Sequence, residues 1–205
     1  GEVAIRLTTR ARSREEAERK MRPTEAIIRE RVGAHLYATE DIPLEEAIVR
    51  RLAAIGRTFG AAESCTGGLI AQLVTNIPGS SAVFCGGIVC YTNEVKHRLL
   101  DVPTDLLEGE HAPGAVSGET AARLAGQAQR RLGSDFAVSV TGVAGPSASE
   151  GKPVGLVYVG IAAPDRSVRV AKFHFKGNRE TIRLKAAKHA LYELWKAIGE
   201  HSGGA

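Results

Sequence analysis

From Leu44 onward the chain alternates two hydrophobic rhythms, and that alternation constrains its fold more than any other feature. Leu44, Ala47, Ile48, Leu52 and Ile55 recur at the spacing of one helix face and stop at Gly56. Residues 58–62 are strand-like and run into ESCTGG. Leu69, Ile70, Leu73 and Val74 form a second helical stripe, closed by Pro78-Gly79. Residues 83–91 are mostly apolar and read as a buried strand interrupted by Gly86-Gly87. Asn93 is the expected cap of a helix through Leu99 and Leu100. Ser117, with Thr120 and Ala121, opens another that passes Leu124, Ala128 and Leu132 and stops at Gly133. Phe136, Val138 and Val140 alternate as a strand into TGVAGP. Residues 154–162 and 168–175 pair as a hairpin, and Leu184, Ala187, Leu191, Leu194 and Ile198 stripe a closing helix. Strands alternating with helices, then two adjacent strands and a last helix, predict an α/β fold. Its expected form is a three-layer α/β/α sandwich on a mixed sheet.

The opening residues do not share this rhythm. Val3, Ile5 and Leu7 alternate as a half-buried strand would, and Ser13 with Glu16 makes a capping box for a helix. Pro23 should break or kink that helix, which resumes through Ile27, Ile28 and Val32. One strand and one or two helices cannot enclose a core. Residues 1–42 are therefore expected to be an α+β remnant, the cut end of a larger protein, with a linker over ATEDIP (38–43). The main domain is expected over 43–199 and a tail over 200–205. The start, GEVAIRLTTR, does not read as a signal peptide, and no apolar run approaches the length of a membrane span. The expected setting is the cytoplasm.

Cys65, Cys85 and Cys90 form no CxxC pair, and no histidine stands at zinc-ligand spacing, so all three read as small buried hydrophobes and no metal is expected. Cys85 and Cys90 differ by an odd offset, which sends strand side chains to opposite faces. The formal net charge of +4 is uneven. Between residues 166 and 196 stand Arg166, Arg169, Lys172, Lys176, Arg179, Arg183, Lys185, Lys188 and Lys196, against Glu180 and Glu193. Such a field suits a phosphate monoester or nucleic acid, or is a solvated helix face. The aromatic platform that single-stranded nucleic acid uses is missing, so direct nucleic-acid binding is not expected.

Three loops leave predicted strand ends, where ligands of such folds sit. ESCTGG, residues 63–68, carries hydroxyls and glycine N–H groups suited to an anion, or simply caps a helix. TGVAGP, residues 141–146, is a second glycine-rich exit. GPSASEGK, residues 145–152, imitates a P-loop, but Pro153 stands where Ser or Thr is required and the glycine spacing is wrong. The third loop, PGSSAVFCGGIVCYTNEVK (78–96), sets Ser80 and Ser81 upstream of Tyr91 and Lys96. No G-x-S-x-G elbow occurs, so the usual serine-hydrolase base is not announced. A lysine can deprotonate a serine if burial or positive potential keeps it neutral, and Lys96 lies in the first turn of its helix, where the dipole disfavours an ammonium. That dipole contributes only about 1 kcal/mol, so burial or a basic neighbour must do the rest. The plain alternatives are turn serines, a packed tyrosine and a solvated lysine.

Together AESCTGG, PGSSAVFCGGIVCYTNEVK, GAVS, TGVAGP, KPVG and FKGNRE stand in the order and rough spacing of the CinA C-terminal domain family, which residues 44–199 resemble. Residues 1–42 are similar to the end of the small domain that precedes it in CinA proteins. The resemblance implies a nicotinamide-nucleotide amidase that hydrolyses nicotinamide mononucleotide to nicotinic acid mononucleotide and ammonia, in pyridine nucleotide salvage and without a cofactor. It implies Ser81 as nucleophile, Lys96 as its base and Tyr91 as an assisting hydroxyl, with Ser80 and Ser64 as rival nucleophiles. Ser64, Thr66, Gly67, Gly68 and Ser80 would bind substrate or the oxyanion, Thr141 and Gly142 would line the pocket, and Arg179 would hold the phosphate. GEHAPGAVS carries extra residues before GAVS, PSASEGKP is less glycine-rich than usual, and Asn178 replaces a common Asp. The family name implies a second possibility, a competence or DNA-damage domain that recruits a recombination protein or DNA. A homodimer is the default assembly.

Overall fold

A computed structural model describes residues 2–201. The chain runs through α1 (Arg14–Val32), α2 (Leu44–Ala54), β1 (Phe59–Glu63), α3 (Leu69–Thr75), β2 (Phe84–Val89), α4 (Asn93–Leu100) and α5 (Thr104–Leu107). It continues through α6 (Gly118–Leu132), β3 (Phe136–Gly142), β4 (Leu156–Ala162), β5 (Val168–His174) and α7 (Arg179–His201). The sheet order is β2-β1-β3-β4-β5. β1 pairs parallel with β2 and β3, and β3, β4 and β5 pair antiparallel in turn. The mixed α/β/α sandwich expected from the alternation is the observed architecture.

Strand alternation sorts the core into its two layers. Phe136, Val138 and Val140 of β3 face Ile48, Leu52, Ile70, Leu191 and Leu194 from α2, α3 and α7. Ala137 faces the other way, with Leu124, Ala125 and Ala128 of α6 and Leu100 of α4. On the α6 side the backbones come close: a Cβ on Gly160 would lie 2.6 Å from Ser139 Oγ and clash with Ala121 O. The sheet is thus clamped by a long helix on each face.

Several expectations are corrected. Val3, Ile5 and Leu7 form no strand, because no segment among the described residues pairs with them; Val3 and Ile5 are exposed. Pro23 does not interrupt α1, and none of the helix's side chains is buried. Ser13 does cap it, accepting from Glu16 N, although the Glu16 carboxylate reaches Arg12 N instead of the cap residue. β2 is an edge strand, half-exposed in alternation, so Cys85 is exposed while Cys90 is buried. The odd offset between these cysteines has its expected effect; the burial of all three does not hold. Thr92, not Asn93, caps α4 through Val95 N. Leu184 is exposed on α7, where Ile182 and Ala186 take its place in the buried stripe. α7 runs to His201, so the tail expected from residue 200 begins inside a helix and otherwise lies outside the described residues. No helix among the described residues is long and apolar enough to cross a membrane.

Candidate active site

The three parallel strands release their chains at one end of the sheet, and β1 lies between β2 and β3, where the strand order reverses. That is where α/β sheets open a crevice. Ser64 follows β1, Cys90 and Tyr91 follow β2, and Thr141 and Gly142 end β3.

Lys96 is 2% exposed, one of the largest fully buried side chains of the molecule. Its Nζ lies 3.2 Å from Ser64 Oγ, 2.9 Å from Cys90 O and 3.4 Å from Tyr91 O. Burial drives its pKa below the ordinary lysine value of 10.5. Two carbonyls and the Ser64 hydroxyl surround the amine; Ser64 Oγ accepts from it, and an uncharged Lys96 would leave its lone pair for the Ser64 hydroxyl instead. Ser64 is itself buried, and its N–H is fixed on Val140 O across β1 and β3.

Ser81 is not part of this cluster. It sits in a 3-10 turn, Ser80–Ala82, before the start of β2, whereas Lys96 packs beyond the end of that strand. Six residues of strand separate the two ends, a span of about 20 Å. Ser80 is buried in the same distant turn. The pairing of Ser81 with Lys96 is thereby corrected: of the three candidate serines, Ser64 is the one that meets the lysine. The two are neighbours in sequence, but β2 drives them apart in space.

Tyr91 is 56% exposed, and its hydroxyl accepts from Arg179 Nη2 at 2.9 Å, while its backbone carbonyl faces Lys96. Arg179 also donates to Gly145 O at 2.6 Å, tying the β2 and β3 exits together. One turn along α7, Arg183 donates to Cys65 O at 3.1 Å and Thr66 O at 2.6 Å. Thr66 is fully buried and its Oγ1 has no hydrogen-bond partner among the described residues. Gly67 and Gly68 both take left-handed φ values, +60° and +97°, which lets the loop double back. Thr141 Oγ1 donates to Ala115 O at 2.7 Å, and Gly142 is a packing glycine, since a Cβ there would lie 2.7 Å from Leu156 O. These two residues pack the end of β3, and Thr141's hydroxyl is already engaged by the backbone.

Arg183, placed by sequence only in the basic run, and Glu63, Glu150 and Lys152 are not among the residues the sequence assigns to the site. Glu63 is fully buried and accepts from Gly68 N, Ile70 N and Ala71 N. Glu150 accepts from Val116 N, and Lys152 donates to Pro113 O, strapping the GPSASEGK loop onto GAVS. A glutamate opening a glycine-rich loop at the start of a helix was the one available signal for Glu63. The two buried thiols are inert: burial pushes Cys65 up to about 12 and Cys90 up to about 11. No group of three or more metal-ligating side chains stands together among the described residues. The basic run does not form one field. Arg169 pairs with Glu200, Lys188 with Glu2 and Glu45, and Lys196 with Glu193, while Arg179 and Arg183 turn to the crevice.

Residues 41–198 match the CinA C-terminal domain, and residues 1–38 match the damage-inducible protein CinA KH domain. A competence-damage inducible protein of Moorella thermoacetica is 46% identical over 199 residues, covering 97% of this chain and 47% of that protein. One of Bacillus subtilis is 42% identical over 198 residues, with the same coverage, 97% and 47%. The chain thus spans about half the length of the curated relatives it matches. Among solved structures, the competence damage-inducible protein A of Klebsiella pneumoniae superposes with a TM-score of 0.72 at 30% identity, over 76% of this chain and 95% of that one. A competence/damage inducible protein of Agrobacterium tumefaciens gives 0.69 at 39% identity, over 79% of this chain and 99% of that one. The shared α/β fold, the matched residues and the identities agree: this chain belongs to the CinA family.

Proposed function

We propose that the crevice hydrolyses the carboxamide of nicotinamide mononucleotide, with Ser64 as nucleophile and Lys96 as its base. The observation that carries this is a desolvated amine 3.2 Å from a serine hydroxyl at the end of a parallel strand. Neutral Lys96 takes the Ser64 proton as Oγ bonds to the carboxamide carbon. The ammonium so formed returns the proton to the departing nitrogen, which leaves as ammonia. Water, losing a proton to Lys96, then splits the ester, releasing the acid and restoring Ser64. The unpartnered Thr66 hydroxyl is suited to donate to the oxygen that becomes negative. Arg179 and Arg183 at the rim suit the 5′-phosphate, and Tyr91, tethered by Arg179, forms the rim rather than relaying a proton.

Ammonia release from nicotinamide mononucleotide tests the proposal. Ser64→Ala and Lys96→Met should each lose at least about a thousandfold in kcat, the scale of removing a member of such a dyad. Ser81→Ala should turn over as wild type does. Full activity in Ser64→Ala refutes the assignment. The relatives are named for competence and damage induction, and the second reading is a domain that recruits a recombination protein or DNA. No turnover by wild type, together with a stable complex of that kind, would select it.

A further inference from the structure

Glu63 has an occupation that its place beside the nucleophile makes consequential. It is the last residue of β1, and strand alternation puts its side chain on the face shared with Phe59 and Ala61, towards α3. There it is 0% exposed. Its Oε2 accepts from Gly68 N and Ile70 N at 3.0 Å each, and its Oε1 accepts from Ala71 N at 2.9 Å. The loop that leaves β1 at Ser64 therefore returns to the side chain of the residue just before it.

This closes a small ring that contains Ser64 and its bond from Gly67 N, while β3 holds the Ser64 N–H from outside the ring. Glu63 O accepts from Cys90 N, Ser64 N donates to Val140 O, and Ser64 O accepts from Gly67 N. Cys90 O is in turn the nearest acceptor of Lys96 Nζ. The Glu63 backbone thus joins the strand that carries the hydroxyl to the strand that holds the amine, and the Glu63 carboxyl secures the loop that follows Ser64. Without that carboxyl, the N–H groups of Gly68, Ile70 and Ala71 at the entry to α3 lose their acceptor, that of Ile70 in a buried place. The Gly67-Gly68 reversal, which adopts φ values open to many other conformations, then relies on the bond from Gly67 N to Ser64 O and on Arg183 at the Cys65 and Thr66 carbonyls.

We infer that Glu63 is the positioning residue of this site, a carboxyl clasp that sets Ser64 Oγ against Lys96 Nζ. The inference rests on the amidase reading above. It differs from an ordinary helix cap in what it predicts. A cap alone would change stability and leave each folded molecule as active as before. A clasp that sets the distance between nucleophile and base changes kcat, since a displacement of about 1 Å costs about a hundredfold.

The test measures kcat and KM on nicotinamide mononucleotide for wild type, Ser64→Ala, Glu63→Gln and Ala71→Pro, each checked for cooperative unfolding above the assay temperature. Glu63→Gln swaps one acceptor oxygen for an NH2 group, which must oppose either Ala71 N–H or the two N–H groups on the other side. Ala71→Pro deletes the Oε1 bond from the donor's side, at the third residue of α3, and sets its ring carbon against that oxygen. Each folded variant should lose about a hundredfold in kcat, with KM within about twofold because Arg179 and Arg183 are untouched. The acidic limb of the rate profile should stay where wild type has it, because Lys96 remains equally buried. Wild-type kcat in either folded variant, beside an inactive Ser64→Ala, overturns this inference alone. Turnover by Ser64→Ala overturns the reading of the site, and the clasp with it.

Discussion

A lysine that is 2% exposed and touches two carbonyls and a hydroxyl is an expensive residue to keep. Its cost appears as a dependence of stability on pH, and the sign follows from burial. The folded pKa lies below 10.5, so between that lowered value and 10.5 the unfolded chain binds more protons than the folded one. Stability conferred by residue 96 therefore rises with pH across that window. Comparing wild type with Lys96→Met by urea unfolding at pH 7 and pH 10 isolates it: the difference should move in favour of wild type at the higher pH. Parallel behaviour of the two proteins would mean that Lys96 is not desolvated. The same lowered pKa should set the acidic limb of the amidase profile, with activity lost as pH falls through it. The cysteines make a complementary case. Cys85 is exposed whereas burial raises Cys65 and Cys90 to about 12 and about 11. Under native conditions a thiol reagent should modify Cys85 rapidly and the other two only on unfolding; mass spectrometry of labelled peptides gives the answer.

At the scale of elements, the antiparallel half of the sheet carries a tight backbone contact with α6 and no proposed chemistry. Gly160 of β4 lies under α6, where an added Cβ would meet Ser139 Oγ at 2.6 Å and the Ala121 peptide. Ser139 Oγ already donates to Ala121 O at 2.6 Å, so neither neighbour can step aside without breaking that bond. Gly160→Ala should destabilise by about 1–3 kcal/mol, measured by denaturant unfolding, while leaving KM near wild type. An unchanged midpoint would show that α6 floats over the sheet more loosely than the geometry requires. The parallel half behaves differently. There the elements end in loops, and α7 reaches across with Arg179 and Arg183 to tie those loops to each other.

For the molecule as a whole, α1 stands apart from both cores. It contributes no buried side chain, and residues 2–35 meet the rest through surface contacts such as Glu2 with Lys188 and His35 with Tyr192. Exposed pairs of this kind contribute up to about 1 kcal/mol each. A chain starting at Ala34 should therefore unfold cooperatively with a melting midpoint lowered by no more than about 5 °C. Calorimetry of the two forms checks this, and a loss of cooperativity would mean that the first segment completes the core.

The sequence by itself determined the order of elements and the fold class, because periodicities of about two and of three to four residues are local and each buried face must find a partner. Ser117, Gly133 and the stripe from Leu44 to Leu52 were legible for that reason, as were Lys96 and the three loops at strand ends. Tertiary structure alone decided which serine Lys96 meets, that β2 lies at an edge, and that Glu63 and Arg183 converge on ESCTGG. Hydrophobic patterning states which face of a segment is buried. It carries no information on which strand end comes to lie against which, and that pairing is what brings Ser64 to within 3.2 Å of an amine thirty-two residues away.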